Sequence, residues 1–143
     1  MPIMNYTTQV AASKTCGEVM RALVKAGARG IAIEYDGQKR AVGMTFAILS
    51  HGTTYQYRLP VRIGAVQEVL IRQKVPPSLR KLEQAERVAW RIVKDWLHAQ
   101  LAIIETEMVT VEQIMLPYMR TETGETVFER WETYNQLPAG ASA

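Results

Sequence analysis

The chain has 143 residues, the length of one typical domain, and its 48% hydrophobic and 22% charged residues exclude both a disordered chain and a membrane protein. Charges interrupt every long apolar stretch, and no charged segment precedes an apolar block at the amino terminus, so neither a spanning helix nor a signal peptide is predicted. The net charge of +3, from 17 basic and 14 acidic residues, is too small to indicate a nucleic-acid partner by itself.

The beginning of the chain predicts a strand and then a helix. Aromatic and β-branched residues over residues 6–10 predict an edge strand. Thr15 to Glu18 has the spacing of a capping box, and Gly27 stands where a left-handed cap would end a helix. The sequence therefore predicts a helix over residues 16–26.

Three segments with a period of two follow this helix. The alternating apolar or aromatic positions are Ile31, Ile33, Tyr35, Val42, Met44, Phe46, Ile48, Tyr55, Tyr57 and Leu59. Turn sequences at residues 36–37 and 50–52 separate the segments, and Pro60 ends the third. This pattern predicts three antiparallel strands joined by short turns.

The next part of the chain predicts a short helix and then a long one. The short helix is expected over residues 65–71, and the two prolines of residues 75–77 break it. Ser78 can cap a helix that starts near Leu79 and meets nothing helix-breaking until about Val109, which gives it about 28 residues, or roughly 42 Å.

Two capping boxes, at residues 110–113 and 126–129, predict short helices near the carboxyl end. Small residues over residues 137–143 predict a flexible tail. Since no repeat or linker divides the rest, residues 1–136 are predicted to form a single α+β domain. Its order is an N-terminal strand and helix, a three-stranded antiparallel meander, then a long central helix and short C-terminal helices, with the helices against one face of the sheet.

The predicted long helix carries apolar residues over a wide arc of roughly 220°, whereas a surface helix needs a stripe of only a little more than 100°. We therefore expect one side of it to contact the sheet and another to contact a second helix. That second helix is either the carboxy-terminal one or the same helix in a second subunit. A homo-oligomer is predicted, and its candidate interface residues are Trp90, Trp96, Leu97, Ile103 and Ile104.

A basic stripe lies on the same helix, within an arc of roughly 60°. Its members are Arg80, Arg87, Arg91, Lys94 and His98. Together with Arg58, on a sheet face that is polar on every strand, these side chains are the candidate binding residues. The stripe either tracks phosphates or is the solvated edge of a buried helix. We favour the second interpretation, because Glu83, Asp95 and Glu105 lie beside the stripe at pairing distance along the helix.

Aromatic residues also have two interpretations. Tyr55 and Tyr57 could stack on the bases of a single-stranded nucleic acid, but their period places them with Leu59 in the core. Trp90 and Trp96 could form a ligand cage, and we again favour packing. The polar sheet face is interpreted as solvated, which is the usual case for an antiparallel sheet.

Residues with catalytic chemistry are few. His51 lies in a predicted turn, His98 lies on the basic stripe, and Asp36 and Asp95 are the only aspartates. No serine stands in a strand-turn-helix elbow, no two histidines have metal-ligand spacing, and no glycine-rich phosphate loop is present. We therefore predict a protein that is not an enzyme and that holds no cofactor or metal. The alternative is an active site assembled from residues distant in sequence.

Cys16 is the only cysteine, so it cannot form an internal disulfide, and unpaired cysteines are tolerated where thiols stay reduced. We therefore expect a cytoplasmic protein. The position of Cys16 near a predicted helix start would allow a lowered thiol pKa, but no histidine partner is evident. We interpret Cys16 as a small buried residue.

Eight short motifs are spread over most of the chain: Tyr6-Thr7-Thr8, Lys14-Thr15, Gly27-Ala28, Glu34-Tyr35-Asp36, Arg58-Leu59-Pro60, Arg87-Val88-Ala89-Trp90-Arg91, Lys94-Asp95-Trp96 and Met115-Leu116-Pro117-Tyr118. Their combination resembles an uncharacterised family of small proteins of tailed bacteriophages and prophages. The resemblance implies a viral or prophage origin and expression in the bacterial cytoplasm. It implies no activity and no site residue.

From these observations we expect a phage-encoded, non-enzymatic, homo-oligomeric binding protein that acts on a host component. Small phage proteins of this kind are often counter-defence inhibitors or sequestering proteins, so the host protein, or a small nucleotide signal, is the expected ligand. The alternative is a nucleic-acid-binding accessory protein that uses the basic face of the long helix on DNA or RNA. Helix, three strands, helix is also the order of double-stranded RNA-binding domains, although the lysine-rich helix start of those domains is missing here.

Overall fold

The computed structural model describes residues 1–135, which form a three-stranded antiparallel sheet and five α-helices. The elements are α1 (Ala12–Lys25), β1 (Arg29–Tyr35), β2 (Ala41–Ser50), β3 (Thr53–Arg58), α2 (Ile63–Arg72), α3 (Leu82–Glu105), α4 (Val111–Met115) and α5 (Val127–Asn135). The α+β class and the meander are confirmed. None of the helices in this range combines the length and the apolar composition that crossing a bilayer requires. The predicted tail over residues 137–143 lies outside the described residues.

The sheet has the order β1-β2-β3, and its alternation follows the sequence prediction. Phe46 of β2 lies opposite Tyr57 of β3, and their rings stack with centroids 5.5 Å apart. Met44 lies opposite Ile33 of β1. Because directly paired residues point to the same face, these side chains form one apolar face, and the other face is polar.

Two helices, α1 and α3, pack on the apolar face of the sheet. The largest buried side chains of this core include Trp90, Tyr57, Phe46, Leu23 and Met44. On its other side α3 packs against α2, where Leu70 and Ala85 belong to a second buried cluster. The wide apolar arc of α3 is therefore covered on three sides by the sheet, α1 and α2 of the same chain.

The first residue of β2 is held by two side chains one turn apart on α3. The Ala41 amide donates to Oε2 of Glu86 at 2.8 Å, and the Trp90 indole N–H donates to the Ala41 carbonyl at 2.9 Å. Both polar groups of this buried residue are thereby satisfied. These bonds fix the position of the sheet along α3.

The predicted amino-terminal strand is wrong. Residues 4–7 form a turn, and the segment runs along α3, where Nε2 of Gln84 donates to the carbonyls of Tyr6 at 2.9 Å and Thr8 at 3.0 Å. Strand propensity decides little without a partner strand, and here Tyr6 packs into the second buried cluster instead.

Two predicted helix starts are also wrong, whereas the two capping boxes near the carboxyl end are confirmed. Helix α1 begins at Ala12, and Thr15 is a buried residue inside it, because burying Ala12 extends the apolar face by one turn. Helix α3 begins at Leu82 and has 24 residues, because Pro77–Leu79 form a separate 3-10 turn. Thr110 caps α4, and Thr126 exchanges capping hydrogen bonds with Glu129 at the start of α5.

Candidate functional site

A carboxylate from α1 pairs with two cations at the centre of the predicted basic stripe. Glu18 Oε2 accepts a hydrogen bond from Arg91 Nη1 at 3.0 Å and lies 3.6 Å from Lys94 Nζ. The Arg91 and Lys94 side chains are only 19% and 18% exposed. Desolvation acts against ionisation of Glu18, but the two cations and their hydrogen bonds outweigh it and lower its pKa. These cations join two helices and do not form a free surface.

The remaining predicted binding residues are dispersed. Arg87 contacts Glu83 at 3.2 Å, Arg58 contacts Glu34 at 2.8 Å, and the Arg80 side chain donates to the carbonyl of Val75. His98 is exposed at the edge of a groove on the α1 side of α3. The structure therefore brings Arg91 and Lys94 together and leaves the other four candidates apart. The acidic partner of the stripe comes mainly from α1, which helix spacing along α3 could not have indicated.

The pair of Glu34 and Arg58 depends on Gly43, which lies between them on β2. A Cβ at position 43 would lie 3.1 Å from Glu34 Oε2, so the absence of a side chain lets Glu34 lie across β2 to the arginine on β3. Gly43 lies directly opposite Glu34, and Arg58 lies opposite Thr45, the next residue on that face. The polar face of the sheet is thus crossed by an internal ion pair at Arg58.

An apolar groove of about 480 Å³ opens between the carboxyl halves of α1 and α3. Its floor is formed by Phe46 and Ile48 of β2, Leu97 of α3 and Met115 of α4. We call it the α1/α3 groove. Since these four side chains belong to the buried core, the floor is part of the rigid interior and is formed without a ligand.

Alanines contribute to both walls of the α1/α3 groove, beside larger residues such as Leu101 and Ile104. Ala22 and Ala26 belong to α1 or its end, and Ala102 belongs to α3. Larger residues at these positions would fill the space between the helices. At the edge, Lys25 stands on the α1 wall and Glu105 on the α3 wall, so the two walls carry opposite charges.

The predicted oligomer interface residues divide between core and groove. Trp90 is 0% exposed, and its indole N–H donates a hydrogen bond to the Ala41 carbonyl. A second subunit cannot reach this side chain, so its assignment to an interface is wrong. Leu97 is buried at the groove floor and Ile104 lines the groove. Trp96 is half-buried against Tyr118, with ring centroids 5.5 Å apart, and Ile103 is half-buried.

Helix α5 presents an aromatic surface that the sequence reasoning missed. Phe128, Trp131 and Tyr134 are 44%, 59% and 56% exposed, and the first two rings lie 5.5 Å apart. None of the nine residues of α5 is buried. The spacing of three between these aromatic residues was the available signal, since i, i+3 and i+6 lie on one side of a helix. We call these three residues the aromatic stripe.

Groups with acid-base chemistry lie together at one place within residues 1–135, where Glu112 interacts with Tyr57 and His51 and a hydrogen bond with Ser50 lowers the Glu112 pKa. Burial raises the pKa of the Cys16 thiol to about 12, with a contribution from the Glu86 carboxylate, so this cysteine is a buried structural residue as interpreted. Burial likewise raises the pKa of Tyr57 to about 12, and Glu112 adds to the rise. In this part of the chain no three potential ligands among His, Cys, Asp and Glu are grouped to hold a metal ion.

Comparison of the chain with protein-family models, with curated proteins and with solved structures finds no match.

Proposed function

We propose that this chain is a binding protein that acts by occupancy, and that its α1/α3 groove receives one apolar face of a helical segment from a partner protein. The observation that supports the proposal is the groove itself, an apolar opening of about 480 Å³ on a packed floor. Grooves of this kind bind amphipathic helices through anchors at helical spacing. Apolar surface is removed from water on both sides when such a helix docks.

The two walls favour a helix over an extended peptide. An extended peptide gains most of its affinity by pairing with the free edge of a sheet, whereas the groove is bounded by the side chains of α1 and α3. Lys25 and Glu105 on opposite walls favour a partner helix with an acidic residue on one flank of its apolar face and a basic residue on the other.

The motif resemblance supports a bacterial host protein as the partner. A phage-encoded protein that fills its groove with a host helix would withhold that helix from its normal contact, as a counter-defence inhibitor does. Such an inhibitor acts stoichiometrically, so its effect saturates at one equivalent per target. The ion pairs of Arg58, Arg87, Arg91 and Lys94 add no support to the nucleic-acid alternative, which stays a prediction.

The test places a photo-crosslinking amino acid in the full chain at Ala102, which lines the groove, and in a control at Ala99, an exposed alanine of α3 that does not. After irradiation in bacterial cells, the crosslinked peptides are sequenced. We expect one host peptide of amphipathic helical pattern at position 102, lost when Ala26→Trp fills the groove. Equal crosslinking at both positions, or no host peptide at position 102, would contradict the proposal.

A further inference from the structure

Helix α5 contacts the turn of residues 116–118 but buries little surface within the described part of its own chain. It has nine residues, none of them buried, and isolated helices of this length are marginal in water. Its capping box at Thr126 and the 2.8 Å ion pair between Arg130 and Glu125 favour the first turn only. The aromatic stripe meanwhile stays exposed, and exposed aromatic clusters are typical of the centre of a protein interface.

We infer that the aromatic stripe of α5 docks in the α1/α3 groove of a second copy of this chain, and that the two copies exchange α5 reciprocally. The inference rests on the proposed function in one respect, namely that the groove binds helices. Residues 1–135 of one chain carry both an exposed apolar helix surface and an open apolar groove. In a twofold dimer the aromatic stripe and the groove of both subunits are covered, because a twofold interface repeats each contact.

The charges beside the aromatic stripe match those of the groove walls. At 100° per residue, Glu132 flanks the stripe on the Phe128 side and Arg130 flanks it on the Tyr134 side. In the groove, Lys25 stands on one wall and Glu105 on the other. One orientation of α5 therefore places Glu132 beside Lys25 and Arg130 beside Glu105, and the reverse orientation places like charges together.

The area that this exchange would bury is sufficient for a dimer. The three aromatic side chains are about half exposed, and each buries about 150–250 Å² when fully covered, so docking removes roughly 300 Å² per helix. The groove loses a smaller area. Two reciprocal contacts then bury on the order of 1,000 Å², about the least that a specific interface needs.

A dimer of this kind regulates the proposed function. In each subunit α5 of the other copy occupies the groove, so a host helix must displace it. Apparent affinity for the partner then falls as the protein concentration rises, because self-association and partner binding compete for one site.

The experiment measures sedimentation of the full chain from about 1 to 100 µM, a range chosen because contacts of this small size are typical of weak association. The wild type is expected to dimerise. Two variants are expected to sediment as monomers: one combines Phe128→Ala with Trp131→Ala, which removes the stripe, and the other is Ala102→Trp, which fills the groove. Circular dichroism and thermal unfolding check folding. The control is Ala99→Trp, the same change at an exposed alanine outside the groove, and it should dimerise as the wild type does.

Mixing the two monomeric variants provides the decisive result. The stripe variant keeps an open groove and the groove variant keeps an intact stripe, so their mixture is expected to form a heterodimer through one contact, although neither associates alone. Because one contact buries half of the area, this heterodimer is weaker than the wild-type dimer and is sought at the upper end of the concentration range. A wild type that stays monomeric at about 100 µM, a stripe variant that still dimerises, or a mixture that does not associate would overturn the inference. Crosslinking of a host peptide at position 102 in the stripe variant would still support the proposed function in those cases, so the two failures are distinguishable.

Discussion

Glu18 links α1 to α3 through its charge. One of its carboxylate oxygens lies 3.0 Å from Arg91 and 3.6 Å from Lys94, so one negative charge serves two cations. Without it, two positive charges one turn apart on α3 would face each other at a partly buried site. The network therefore adds to the apolar packing of the two helices beside the groove.

Replacement Glu18→Gln should lower the free energy of unfolding at neutral pH by roughly 1 kcal/mol, since an ion-pair network is lost. The folded-state pKa of Glu18 lies below its ordinary value of 4.5. Its contribution is thus present above about pH 4.5 and is lost as the pH falls through the folded-state pKa. Urea unfolding at a series of pH values should show the difference between variant and wild type shrinking on acidification.

The control for this prediction is Glu83→Gln. Glu83 pairs with Arg87 within α3 and lies in its first turn, but its side chain is 75% exposed, so the change should have a smaller effect on stability than Glu18→Gln. A pH-independent difference between wild type and Glu18→Gln would show that Glu18 acts through packing and not through its charge.

At the scale of elements, α5 differs from the other helices because its stability depends on its cap. Thr126 Oγ1 accepts from the Glu129 amide, and Glu129 Oε1 accepts from the Thr126 amide, both at 3.1 Å. Helices α1, α2 and α3 bury apolar faces in the two core clusters, whereas α5 buries none of its side chains. A change at the cap should therefore act locally.

Replacement Thr126→Ala should destabilise α5 by about 1 kcal/mol, the usual value of an N-cap, and raise amide hydrogen exchange in α5 roughly fivefold. The melting temperature of the remaining domain should stay nearly unchanged. Thr133→Ala is the control, because the Thr133 hydroxyl donates to the Glu129 carbonyl inside the same helix and caps nothing. Equal effects of the two changes on exchange would contradict the role of the cap.

At the scale of the whole molecule, α3 connects two buried clusters. Trp90 lies in the cluster with the sheet and α1, and the adjacent Ala89 lies in the cluster with α2. Because consecutive residues of one helix belong to both, we expect the clusters to unfold together. Cys16 in the first cluster provides a probe, since its thiol is buried and its pKa is raised to about 12 by that burial.

Replacement Leu70→Ala, in the second cluster, should lower the free energy of unfolding by about 2–5 kcal/mol and expose Cys16 at the same lower denaturant concentration. The measurements are the reaction of Cys16 with a thiol reagent and tryptophan fluorescence along one urea series. The control is Ile71→Ala, because the neighbouring Ile71 is half exposed and its truncation should have a small effect. A thiol transition that keeps its wild-type midpoint in Leu70→Ala would show that the clusters unfold separately.

The amino-acid sequence by itself determined the features that depend on near neighbours along the chain. The alternation through Met44, Phe46 and Ile48 specified the strands, and the boxes at Thr110 and Thr126 specified two helix starts, because pleat and cap geometry involve only residues a few positions apart. The strand predicted over residues 6–10 does not form, because a strand also needs a partner strand that lies far away in sequence.

Only the tertiary structure decided the functional surfaces. Glu18 meets Arg91 across 73 positions of sequence, and this contact converts a basic stripe into a link between helices. The α1/α3 groove exists because α1 and α3 leave an opening above β2, and the aromatic stripe is exposed because α5, which packs against the turn of residues 116–118, leaves its three rings about half exposed. The Glu18–Arg91 contact, the groove and the exposure of α5 all depend on where the helices lie relative to one another. Packing of the whole core sets these positions, and no local pattern does.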